Sequence, residues 1–106
     1  MEQISEQTTQ DEVLATLKEK FFYLATEYGL KKIGVFGSYA KNTQVKSSDV
    51  DILVEFEKPI GLRFVEFCDF LEHILGKNVD VLTTTGMNSI RVKKVANDIE
   101  KNIIYV

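Results

Sequence analysis

The chain has 106 residues, 44% hydrophobic and 27% charged, with a net charge of −3. That is an ordinary globular composition, enough for one compact domain and too rich in apolar residues for disorder. The acidic balance argues against non-specific binding to long nucleic acids, and the lone Cys68 excludes an internal disulfide or a multi-cysteine zinc site. Residues 1–8 read as a frayed, flexible start, polar and acidic rather than a secretory leader. No apolar run approaches the length of a membrane span, so a cytoplasmic location is expected. Thr9 to Glu12 form a Thr-x-x-Glu capping box. Val13, Leu14, Leu17, Phe21, Leu24 and Tyr28 then recur at three and four residues, which predicts a helix stopped by Gly29. Lys31 to Phe36 reads as a short buried strand, and Ser38 to about Asn42 as one short helix.

Asp49 to Phe56 alternates as a strand does. Val50, Ile52, Val54 and Phe56 share one face; Asp49, Asp51, Leu53 and Glu55 share the other. Pro59 and Gly61 mark a turn, and Leu62 to Leu75 reads as a second long helix stopped by Gly76. Val79 to Thr83 is a short strand carrying Asp80, and Thr83 to Gly86 a loop. Ile90, Val92, Val95 and Ile99 give a last helix its apolar stripe, and Ile103 to Val106 closes the chain as an edge strand. The alternation predicts an α/β or α+β class, a small mixed sheet covered by helices, with residues 9–106 forming a single domain.

Chemically capable groups converge in one place, Gly37-Ser38 followed after ten residues by Asp49-Val50-Asp51. A glycine lets the backbone come close to a phosphate, and a helix starting there points free N–H groups at it. Taken alone, Gly-Ser reads better as a tight strand-to-helix turn with a hydroxyl cap, and it is not a P-loop. Asp49 and Asp51 on a strand would have Cα atoms about 6–7 Å apart, where their charges repel unless a cation intervenes. Aspartate is a poor strand former, so the pair needs a reason: either a hard cation such as Mg²⁺, or the solvent face of an edge strand. Asp80, on another short strand, would be the third carboxylate of a two-metal site, or a strand-end aspartate facing water.

In this combination the chain resembles the DNA polymerase β-like nucleotidyltransferase superfamily, and within it the minimal nucleotidyltransferase (MNT) proteins, including MntA-type antitoxins. Gly37-Ser38-Tyr39-Ala40-Lys41-Asn42 and Ser48-Asp49-Val50-Asp51-Ile52 stand where those proteins carry Gly-Ser-x-Ala-Arg-Gly and Ser-Asp-[Ile/Val]-Asp-[Ile/Leu]. The similarity extends to Val79-Asp80-Val81-Leu82 and the Ile104-Tyr105-Val106 ending. Lys41 keeps the charge of the usual Arg but loses its fork, and Asn42 replaces a Gly.

The resemblance implies a polymerase β-like nucleotidyltransferase fold and Mg²⁺ held by Asp49, Asp51 and Asp80. It implies ATP bound through Gly37 and Ser38 with Lys41 as a helper, and transfer of AMP to a hydroxyl. It also implies a HEPN-domain RNase toxin as partner, adenylylated on a tyrosine. The alternatives are a non-catalytic antitoxin that acts by binding, or a subunit serving a small-molecule acceptor.

Other features carry expectations of their own. The helix from Leu62 is apolar on more than one stripe, which points to a partner surface around Phe64 and Phe67, with Phe21, Phe22 and Tyr23 raising the same idea on the first helix. His73 reads as a surface histidine at a helix end, Cys68 as a core residue, and Arg91, Lys93, Lys94 and Lys101 as a basic helix side.

Overall fold

The computed structural model describes residues 8–83 and 102–106. The loop after Thr83, the helix with the Ile90 to Ile99 stripe and the basic residues Arg91, Lys93, Lys94 and Lys101 lie outside them, as do residues 1–7. Helix α1 spans Gln10–Tyr28. Its capping box closes as the sequence predicts: the Glu12 N–H donates to Thr9 Oγ1 at 3.1 Å and the Thr9 N–H to Glu12 Oε1 at 3.0 Å. Gly29, at φ 73°, turns the chain out of α1 into strand β1, Leu30–Phe36. A one-turn helix α2, Gly37–Lys41, follows directly, then strand β2, Val50–Phe56. Helix α3 runs Arg63–Leu75 and ends at Gly76, φ 66°, before β3, Val79–Thr83, and β4, Ile104–Tyr105.

The strands described form a mixed sheet in the order β3-β2-β1-β4. β1 pairs antiparallel with β2 and with β4, while β2 and β3 run parallel. A sheet with helices packed on it is the α+β arrangement the alternating elements imply. β2 is an interior strand, so the edge-strand reading does not hold for Asp51, while Asp49 lies outside the strand. Strand order is a tertiary fact: a seven-residue alternating run looks the same at an edge as inside.

The core lies between the sheet and the two long helices. Val13, Leu17, Leu24 and Tyr28 of α1 meet Ile33 and Val35 of β1, Val50, Ile52 and Val54 of β2, and Phe67, Leu71 and Leu75 of α3. Phe67, expected at a partner surface, is fully buried: its ring lies 5.3 Å from Tyr28 and 5.0 Å from Phe56, both edge to face. Phe64 is half-buried on the same cluster. Phe22, expected on such a surface, is left in water, as are Leu62 and Val65 where α3 begins and Val45 in the loop before β2. Tyr23 packs on Phe70 across the two helices, centroids 5.1 Å apart. Leu62 itself precedes α3 rather than opening it. Cys68 packs partly buried against the core, where burial raises its thiol above the usual range, helped by the charges of Asp69 and Glu72; His73 is exposed in the last turn.

Candidate active site

The site forms where β1 hands the chain to α2, beside the start of β2. Phe36, the last residue of β1, pairs with Asp51 of β2, and Asp51 pairs on its other side with Asp80 of β3. Two aspartates separated by 29 positions are thereby brought to neighbouring strands in register. Both sit on the parallel pair, so their side chains leave the same face of the sheet.

Gly37 is required here twice over. Its φ of 71° lies in the left-handed region, and a Cβ built on it would fall well inside van der Waals contact with the Asp51 carboxylate, 3.0 Å from Cγ. The backbone at the start of α2 therefore lies directly against that carboxylate. No side chain caps α2 at its N-terminal residue Phe36, so the hydroxyl-capped turn considered for Gly-Ser is not what the structure shows. The first N–H groups of a helical turn have no partner within the helix itself. Ser38 is the second residue of α2, partly buried next to Gly37. Tyr39 anchors the turn from below with a fully buried ring whose hydroxyl has no hydrogen-bond partner among the described residues. Asn42 ends α2 in the left-handed conformation, φ 60° and ψ 35°, and its N–H returns to Ser38 O and Tyr39 O. It thus takes the conformation for which a glycine is the usual choice, and for which asparagine is the best tolerated alternative.

The electrostatics of the site centre on Asp51. Burial, then the charge of Asp80, a side-chain hydrogen bond with Asp80 and the charge of Asp49 together push its carboxyl up to about 6. Two carboxyl groups this close favour a proton on Asp51 as the pH falls toward 6, in the place a cation would otherwise take. Asp49 lies just before β2 and is exposed. It lines an open polar cleft of about 470 Å³ with Ser47, Glu72, Lys77 and Asn78. Lys77 donates to the Lys46 carbonyl at 2.9 Å and ties the loop before β2 to the α3–β3 turn; Glu72 accepts from the Val79 N–H at 3.2 Å. Among the described residues no three ligating side chains stand close enough to enclose a metal ion by themselves. The donor set nevertheless suits Mg²⁺, which takes one or two carboxylates and completes its octahedron with water and substrate phosphate oxygens.

Of the six residues singled out in the sequence, Gly37, Asp51 and Asp80 come together, Ser38 adjoins them, and Asp49 flanks them. Lys41 stands apart, exposed at the C-terminal end of α2, about 6 Å along the helix from Gly37, where its charge complements the helix dipole. Sequence reasoning missed Gln10, whose side chain reaches the backbone of α2, and the Lys77–Lys46 contact. Neither has a local signal, because the partners are about thirty residues apart.

Comparison with known proteins gives a consistent result. Residues 17–106 match the family described as Nucleotidyltransferase domain. The chain is 35% identical over 99 residues to the protein adenylyltransferase MntA of Thermococcus cleftensis, covering 92% of this chain and 96% of that one. It is 40% identical over 99 residues to MJ0128 of Methanocaldococcus jannaschii, provisionally named a protein adenylyltransferase, covering 92% and 98%. Among solved structures, one provisionally named a minimal nucleotidyltransferase superposes with a TM-score of 0.69 at 25% identity, covering 91% of this chain and 94% of that one. A chain from a toxin–antitoxin structure with AMP-PNP superposes with a TM-score of 0.62 at 23% identity, covering 83% and 70%.

Proposed function

The chain belongs to the nucleotidyltransferase domain family, as an enzyme of the minimal, polymerase β-like type, and from that premise we propose that it transfers AMP from ATP to a hydroxyl of a protein. The acceptor in this reading is a tyrosine of a HEPN-type RNase toxin, which makes the chain an antitoxin. The observation that carries the proposal is the Asp51–Asp80 pair set against the backbone of Gly37. Carboxylates on one side of a substrate and free N–H groups on the other are what a metal-bound triphosphate requires. Support for a protein acceptor comes from the relatives named adenylyltransferases, and support for a toxin partner from the toxin–antitoxin structure that shares the fold.

Asp51 and Asp80, with Asp49 beside them, would hold Mg²⁺, which neutralises the phosphates and the charge that develops on them. The N–H groups of Gly37 and Ser38 receive the outer phosphates and orient the chain of the nucleotide. The acceptor hydroxyl gives its proton to a carboxylate, in this reading Asp80, the exposed member of the pair. The hydroxyl oxygen bonds to the α-phosphorus as the bond to the bridging oxygen of the β-phosphate breaks, and pyrophosphate carries that electron pair away. The protein's contribution is positioning and charge compensation rather than covalent chemistry.

The test uses the purified protein, Mg²⁺, ATP labelled on the α- or the γ-phosphate, and as acceptor a HEPN-type protein if one is encoded by the adjacent gene, or otherwise a host lysate. Only α-label should move to the acceptor, and Asp51→Asn should reduce transfer by about a hundredfold or more, as loss of a main charge-compensating group does. Label arriving from the γ-position would mean a kinase, and equal transfer by Asp51→Asn would remove the site from the reaction. Tight binding of the acceptor with no transfer would mean an antitoxin that works by occlusion.

A further inference from the structure

Helix α2 has five residues, too few to hold its own direction, because a single turn fixes several dihedrals for little hydrogen bonding. Something else must aim it. Its outgoing end, where the Asn42 and Thr43 N–H groups close back on Tyr39 O and Ser38 O, is also met by a side chain from α1. Gln10 Nε2 donates to Tyr39 O at 2.8 Å and to Ala40 O at 3.1 Å, using both amide hydrogens on two adjacent carbonyls. Both bonds are partly buried and span 29 and 30 residues. Gln10 is itself well held: it is the first residue of α1, inside the capping box that Thr9 and Glu12 close. Val13 and Leu17, further along α1, are fully buried in the core. The buried Tyr39 ring closes the underside of the same turn.

We propose that Gln10 is a positioning residue for nucleotide binding. It clamps the C-terminal carbonyls of α2 so that the opposite end of that turn, Gly37 and Ser38, stays aimed at the triphosphate. The proposal rests on the reading of Gly37 and Ser38 as the phosphate-binding turn. Gln10 touches neither substrate nor metal in this scheme; it acts through the backbone of α2. A side chain that donates twice can do this. Glutamate has the same shape and only acceptor oxygens, and leucine has neither donor nor acceptor. Lysine has donors and sufficient reach.

The experiment measures MgATP dissociation constants by calorimetry for wild type, Gln10→Leu, Gln10→Glu and Gln10→Lys, with amide exchange of the peptide covering residues 37–43 in the absence of nucleotide. Thermal melts accompany each protein. In Gln10→Leu and Gln10→Glu we expect MgATP to bind about fivefold to tenfold more weakly, the worth of one or two hydrogen bonds. Exchange at 37–43 should quicken in both, and Gln10→Lys should restore both readings toward wild type. A general loss of stability would instead lower Tm without rescue by lysine. Unchanged exchange in Gln10→Leu overturns the clamp. Faster exchange with MgATP affinity unchanged overturns its role in nucleotide binding. Absence of MgATP binding by the wild type would reject the nucleotide reading of the site, and the exchange comparison would still report separately on whether Gln10 holds α2.

Discussion

Gly37 combines a left-handed φ of 71° with a backbone that lies against the Asp51 carboxylate. A methyl group there meets both objections at once. Gly37→Ala should lose about 1–2 kcal/mol from the backbone conformation alone, and more from displacing Asp51, as measured by urea denaturation. Transfer activity should fall with it, because the displaced carboxylate is one of the pair proposed to hold the cation. Tyr39 presents the opposite case. Its hydroxyl is buried and unpartnered among the described residues, and burial, followed by the nearby charge of Glu12, raises its pKa. Tyr39→Phe removes an unsatisfied polar atom and keeps the ring. We expect stability to be equal or higher by up to about 1 kcal/mol, against the usual loss on truncating a core residue. A clear loss would mean that the hydroxyl is bonded in solution.

At the scale of elements, the exits of the helices are set by backbone conformation. Gly29 and Gly76 take the left-handed position after α1 and α3, and Asn42 takes it after α2. Asn42→Gly should therefore be neutral or slightly stabilising, whereas Asn42→Ala should cost about 1 kcal/mol in thermal or chemical melts. The pairing of α1 with α3 is reinforced at its open end by Arg63, which reaches Glu27 Oε1 at 3.2 Å and Glu66 Oε2 at 3.1 Å over the Tyr28 ring. The Tyr28 hydroxyl donates to the same Glu66 oxygen at 2.9 Å, and burial with this bond lifts its pKa to about 12. These exposed charges add little by themselves, and the helices are held chiefly by Phe67, Leu71 and Leu24 beneath.

For the whole molecule, the carboxyl pair makes stability depend on pH. The Asp51 carboxyl stands at about 6 in the fold against an ordinary 3.8. Between those values the folded state binds more protons than the unfolded state, so stability falls as pH rises from about 4 to about 6 and then levels. Solvent screening of this partly exposed group keeps the loss on the order of 1 kcal/mol. Asp51→Asn should flatten that part of the stability profile. If the site takes Mg²⁺ as proposed, the cation competes with a proton on Asp51, so it should raise Tm at pH 8 more than at pH 5, and should lose its effect in Asp51→Asn. Equal effects at both pH values would mean that the cation acts elsewhere.

The sequence by itself determined the elements whose ends carry their own chemistry. Thr9 and Glu12 start α1, Gly29 and Gly76 stop the long helices, and the alternation from Val50 to Phe56 marks β2, because capping, left-handed exits and pleat depend only on neighbours along the chain. The spacing from Gly37-Ser38 to Asp49-Val50-Asp51 likewise marked where the candidate site lies. Only the tertiary structure decided that β2 is interior, that Asp80 stands in register with Asp51, and that Phe67 is buried while Phe22 and Val65 are not. It also brought Gln10 to the carbonyls of Tyr39 and Ala40. These facts depend on which strand lies beside which and on how two helices share one sheet. Such contacts join residues tens of positions apart, and local preference carries no record of them.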